Sequence, residues 1–227
     1  MATLTEAQLQ SALHTLYEKN TSVPVDTSSD YLTRRGLLNA AIEKWGDKAH
    51  ADNMRWRQLF TTGSITTNGT STVSLPSDFI EPASLLKITE TTGDVYYDFV
   101  SPEKVLSTLR DDSSSYIYHI TGSPGSYTLN INPTPATGKT GTITYYKSPT
   151  LLSSTSSVTE IPKPYFLIYD ALSALFEEER PDLSNKYLQM AADLMKAMVI
   201  DNDLLPQDAE NTISSPSLEY GGVVFGK

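Results

Sequence analysis

Three histidines, His14, His50 and His119, stand far apart in the chain, each alone and none beside a nucleophile it could activate. There is no cysteine, which removes thiolate nucleophiles, disulfides, Cys-ligated zinc and iron–sulfur clusters. No stretch matches a P-loop, a Rossmann glycine fingerprint, a nucleophile elbow or an HExxH helix. Asp201-Asn202-Asp203 places oxygen ligands at alternate positions, as calcium loops do. It lacks the loop glycine and the distal glutamate, and reads as a solvated helix end. Glu177-Glu178-Glu179 offers carboxylates for acid–base work, but consecutive helical residues diverge and at most two could converge. That run, too, reads as a solvated helix end, opposed by the helix dipole by a few tenths of a kcal/mol per charge and offset by Arg180 or a basic partner. A two-carboxylate hydrolase using Glu177 or Asp170 is disfavoured, because both lie on a stretch whose stripe reads as core. His119 falls within a predicted strand and reads as structural, and Asp111-Asp112 as an acidic loop. No catalytic, metal or cofactor site is expected, and no enzymatic activity.

The dense basic spots are Arg34-Arg35 and Arg55-Trp56-Arg57. They could meet DNA or an acidic partner, but the preferred reading pairs them with Glu43, Asp47 and Asp52. The 13 tyrosines could stack on sugars or bases. Most sit in predicted strands beside Ile, Leu and Thr, where core and interface roles are commoner. The 227 residues carry 17 basic and 27 acidic side chains, a net charge of -10. This opposes a protein that grips nucleic acid by neutralising phosphates, but not one that DNA slides past. No apolar run approaches the roughly 18 residues of a membrane-spanning helix, and Met1–Gln10 has neither the charge nor the apolar block of a secretory leader.

The elements that would position these residues fall into three parts. Residues 61–160 hold 37 Ser and Thr, and the remaining 127 residues only 16, so a β-rich middle lies between helical flanks. The net charge of the parts is 0 for residues 1–60, -4 for 61–160 and -6 for 161–227. Thr5-Glu6-Ala7-Gln8 fits a capping box ahead of Leu9, Leu13 and Leu16. Leu37, Leu38, Ala41, Ile42 and Trp45 form the stripe of a second helix, expected to break at Gly46-Asp47. Met54, Trp56, Leu59 and Phe60 suggest a third. Short strands are expected at 73–75, 85–90, 94–100, 116–120, 127–131 and 140–147, with a short helix capped by Ser101-Pro102-Glu103. Tyr165, Ile168, Tyr169, Leu172, Leu175 and Phe176, then Leu188, Ala191, Ala192, Met195, Met198 and Val199, return the chain to helix. The expected fold is α+β: a helical bundle from the N- and C-terminal flanks with an inserted antiparallel β-sandwich or barrel. The boundaries are 1–62, 63–150, 151–201 and an extended C-terminal arm at 202–227. Trp45, Trp56, Tyr165, Tyr169 and Phe176 are expected in the bundle core or a subunit interface. Tyr220, Val223, Val224 and Phe225, beside Gly221-Gly222, are expected to dock the arm on the portal or a neighbouring subunit, for which an added strand is one mode.

The order of these features resembles the head-to-tail adaptor proteins of tailed bacteriophages, such as tail tubular protein A of short-tailed phages. Leu37 to Ile42 with Trp45, Trp56 and Leu59 is similar to the family's N-terminal helices. Leu75-Pro76-Ser77-Asp78-Phe79-Ile80 is similar to its entry to the β domain. Tyr118 to Gly122, Leu129 to Pro135 and Ile143 to Pro149 resemble its hairpin and paired-tyrosine strand. Ile161-Pro162, Tyr165 and the helix through Glu179 resemble its helical return. The resemblance spans roughly residues 35–200. It implies a structural protein of the virion neck, forming a homo-oligomeric, commonly twelvefold ring beneath the portal protein. Such a ring joins the capsid to a downstream tail or nozzle protein and lets double-stranded DNA pass, with no membrane and no cofactor involved. The competing reading is a carbohydrate-binding β module on the virion surface, which the Ser/Thr/Tyr-rich middle suggests. It would need a concave aromatic or acidic site on the β domain.

Overall fold

A computed structural model describes residues 3–51 and 54–204, without the side chains of His50, Ser84 and Leu204. The fold is α+β, with five α-helices and seven strands among the described residues. The chain divides into two compact units, Met1–Trp45 with Leu151–Lys227, and Gly46–Thr150.

The helical unit is built on α1 (Glu6–Glu18), the start of α2 (Ser29–Ala51), α4 (Tyr165–Leu175) and α5 (Pro181–Leu204). The capping box forms as the sequence predicts: the backbone N–H of Gln8 donates to Thr5 Oγ1, and that of Thr5 to Gln8 Oε1. The next orphan amides of α1, at Glu6 and Ala7, donate to the carbonyls of Ser157 and Thr155. The returning segment is fixed in turn by Asn39, whose amide both donates to and accepts from the backbone of Leu152. Helix α4 packs against both α1 and α5, which explains why Phe166, Leu167, Ile168, Ala171 and Leu172 are all buried. On α5 the buried stripe is Ala191, Met195, Met198 and Asn202, at steps of four, three and four.

The β unit is one curled mixed sheet in the order β1-β7-β3-β4-β5-β6-β2. The strands are β1 (Phe60–Thr66), β2 (Thr72–Ser74), β3 (Phe79–Glu90), β4 (Gly93–Phe99), β5 (Ile117–Thr121), β6 (Thr128–Asn132) and β7 (Thr140–Lys147). One face buries Ile65, Phe79, Leu86, Ile88, Tyr97, Tyr118, Leu129, Ile131, Ile143 and Tyr145 in a single core. The other face carries hydroxyls: Thr62 opposite Thr144, Ser64 opposite Thr142, and Thr66, Thr140 and Thr89 in one row. Threonine's β-branch suits the pleat while its hydroxyl suits water, as at the exposed Thr62, Thr66, Thr89 and Thr140; the Thr144 hydroxyl is buried instead. Isoleucine faces glycine across strands, Ile65 against Gly141 and Ile143 against Gly63. A Cβ on Gly141 would lie 2.6 Å from Ile65 Cγ1, so the small residue makes room for the large one.

Three expectations are corrected. The sheet is not wholly antiparallel: β4 and β5 run parallel, because a 3-10 turn and helix α3 (Val105–Asp111) carry the chain across between them. Helix α2 does not break at Gly46-Asp47 but runs to Ala51. Gly46 instead permits a close approach, since a Cβ there would lie 2.7 Å from Pro149 Cγ. The third helix is absent: Arg57–Leu59 is a 3-10 turn, and Phe60 begins β1.

Candidate assembly surfaces

Five rings form a chain in the helical unit. Tyr165 and Tyr169 lie 6.0 Å apart, Tyr169 and Tyr187 stack at 6.0 Å, Tyr187 and Phe176 stack at 5.8 Å, and Phe176 meets Tyr17 at 5.1 Å. Cations lie against it, with the Arg34 guanidinium 5.5 Å above Tyr17 at one end and the Lys186 ammonium 5.9 Å from Tyr187 within it. Phe176 is buried, whereas Tyr165 is 49% exposed. Tyr165 also borders a shallow cavity of about 410 Å³ lined by Gln8, Ser11, Ala12, Thr15 and Leu16 of α1. Rigid, half-buried tyrosines with polar tips are the side chains that protein interfaces favour. The acidic run Glu177–Glu179 is solvent-exposed just after α4.

The seam between α1 and α2 is polar. Glu6, Gln10 and His14 recur every fourth residue and are all buried. Arg35 Nε donates to Glu6 Oε1 at 2.6 Å, Gln10 Nε2 to the Tyr31 carbonyl at 3.1 Å, and Arg34 to Glu18 Oε1 at 3.0 Å. Arg34 Nη1 also lies 2.6 Å from His14 Nδ1. A guanidinium has only donors, so Nδ1 accepts and the ring carries its proton on Nε2. Burial, with Glu6 nearby, raises the pKa of the Tyr31 phenol.

In the β unit, Tyr97, Tyr118 and Tyr145 belong to the core, and burial raises the pKa of each. Burial likewise lowers that of His119. Tyr145 donates to Asp78 Oδ1 at 2.9 Å and packs on Phe79 at 5.3 Å, which ties the Pro76–Phe79 entry to the last strand. A cavity of about 260 Å³ is lined by Pro82, Ala83, Leu85 and Phe99. Its described lining side chains are all apolar, whereas a sugar site needs polar groups to orient the hydroxyls.

A model of the SU10 adaptor protein family matches residues 4–216. The chain belongs to the SU10 adaptor family. It is a phage head-to-tail adaptor with a structural role. No curated protein matches it.

Trp45 is fully buried in the helical unit with Phe176. Trp56 is also buried, but it belongs to the β unit as the residue before the 3-10 turn, not to the bundle. Tyr165 and Tyr169 sit in the aromatic chain. Tyr220, Val223, Val224 and Phe225 lie outside the described residues. The basic doublets are paired, but across elements: Arg34 and Arg35 with Glu18 and Glu6, and Arg55 with Glu81. These pairs depend on how α1 meets α2 and how the chain enters β3. Asp170 pairs with Lys44. No cluster of three His, Asp or Glu side chains among the described residues could hold a metal, and no described helix is long and apolar enough to cross a membrane. The ladder of Tyr17, Phe176 and Tyr187 escaped the sequence reading. Its members come from three helices, and only the spacing of Tyr165, Tyr169 and Phe176 hinted at it.

Proposed function

We propose that this adaptor assembles as a ring, twelvefold by resemblance to its relatives, beneath the portal protein in the virion neck. There it joins the capsid to a downstream tail or nozzle protein and leaves a channel for double-stranded DNA. The observation that carries this reading is the family match over residues 4–216. The charge supports it: at -10 the protein has few cations to spare for phosphates, and at least nine of them are ion-paired within the described residues. A net-negative wall lets DNA move without sticking. Heterologous contacts that close on themselves make such a ring, and the exposed Tyr165 end of the aromatic chain is one surface for them. The test is the mass of the full-length protein assembled on portal-bearing heads. A complex near twelve copies supports the ring, and a protein that stays monomeric there, or binds sugars as a monomer, contradicts it.

A further inference from the structure

The two edges of the sheet differ. Strand β2 is a poor template for pairing, with three residues and Pro76 close behind. Strand β1 is seven residues long, mostly exposed, and contains no charge, no proline and no bulge against β7. Exposed edges of that length are ordinarily blunted by one of these devices, because they invite another strand. Just beyond β1, the Thr67 N–H donates to Lys139 on the β7 side. By the alternation of an antiparallel ladder, the N–H groups of Thr62, Ser64 and Thr66 point away from β7. No main-chain partner for them occurs among the described residues.

The chain also supplies a segment suited to that edge. Beyond Leu204, Tyr220-Gly221-Gly222-Val223-Val224-Phe225 is uncharged and β-prone, and its glycines allow close backbone approach. The 17 residue steps from Leu204 to Gly221 span at most about 55 Å when extended. We propose that in the ring, residues 221–225 of each subunit pair with the β1 edge of the next. One donor segment and one acceptor edge per subunit give a head-to-tail contact, which a closed ring requires. This inference rests on the ring reading above.

The absence of cysteine makes the test direct. Full-length Ser64→Cys and Val223→Cys proteins are mixed, assembled on portal-bearing heads and oxidised. Because each chain holds one cysteine, a Ser64–Val223 cross-link must join two copies. Cross-linked dimers of the two different variants are expected from the mixture. A second variant, Thr62→Pro, removes an outward N–H without touching the β1–β7 ladder. It should keep the native circular dichroism spectrum and lose the ring. Rings of normal mass without cross-links, or intact rings from Thr62→Pro, overturn the strand addition and leave the ring standing. A cross-link that forms only within single chains carrying both cysteines overturns the neighbouring copy as occupant. If no variant, nor the unmodified protein, forms a ring, both readings fall.

Discussion

Single side chains show which interactions matter most. The ion pair of Arg110 with Asp111 lies in solvent and contributes less than about 1 kcal/mol. Glu6 is fully buried, and its partner Arg35 is 20% exposed. Truncating one member of a buried pair leaves the other unpaired, so Glu6→Ala should cost about 3 kcal/mol in urea unfolding. The figure sits at the low end for such pairs because Arg35 reaches water. Glu6→Gln keeps the acceptor and should cost less. Tyr145→Phe strands Asp78 and should cost about 1 kcal/mol by the same measurement. Burial first, and then its bond to Asp78, pushes the Tyr145 phenol up to about 12. Its neutral form is favoured in the folded state. The stability it contributes is therefore complete below the ordinary tyrosine value near 10 and is lost as the pH rises towards about 12. An ultraviolet titration should show Tyr145 and Tyr118 ionising last, together with unfolding. Ionisation of all 13 tyrosines in one step near pH 10 would contradict this.

Among the elements, those with local signals were legible. The capping box of Thr5 and Gln8, the stripe of α2, the proline start of the turn before α3, and the alternation of β6 are all written in short windows of sequence. Strand β1 was not. Met54, Trp56, Leu59 and Phe60 mimic a helical stripe, and β1 forms only because β7, about 80 residues later, pairs with it. Tertiary pairing overrides local preference there. The parallel step between β4 and β5 was hidden for a similar reason, since strand direction is set by the crossover and not by composition. The candidate surfaces were half legible. Tyr165, Tyr169 and Phe176 could be marked from spacing, but their partners Tyr17 and Tyr187 come from other helices. One contact outside any element tests the β unit directly. The Lys139 N–H donates to the hydroxyl of buried Thr67 at 2.9 Å, and that hydroxyl also bonds the Ala136 carbonyl. Thr67→Val should therefore cost about 1–3 kcal/mol by leaving both groups unpaired. A thermal unfolding midpoint unchanged from the native protein would contradict it.

At the scale of the whole molecule, a bundle with a β insert, an acidic balance and aromatic surface suit assembly better than catalysis. Tyr165→Glu places a charge on the exposed end of the aromatic chain. It should leave the subunit folded by circular dichroism while weakening its assembly, because interfaces concentrate binding energy in buried aromatic anchors. The free protein should not retain duplex DNA at about 150 mM salt, since it has few unpaired cations with which to release counterions. Tight binding with a steep salt dependence would contradict a repelling channel. The most direct measurement is an image of intact particles that locates this protein and resolves its symmetry. A single ring of about twelve copies between portal and tail, with DNA or its channel along the axis, is the expected result. Copies scattered on the capsid or tail surface, away from the portal axis, would contradict the neck role.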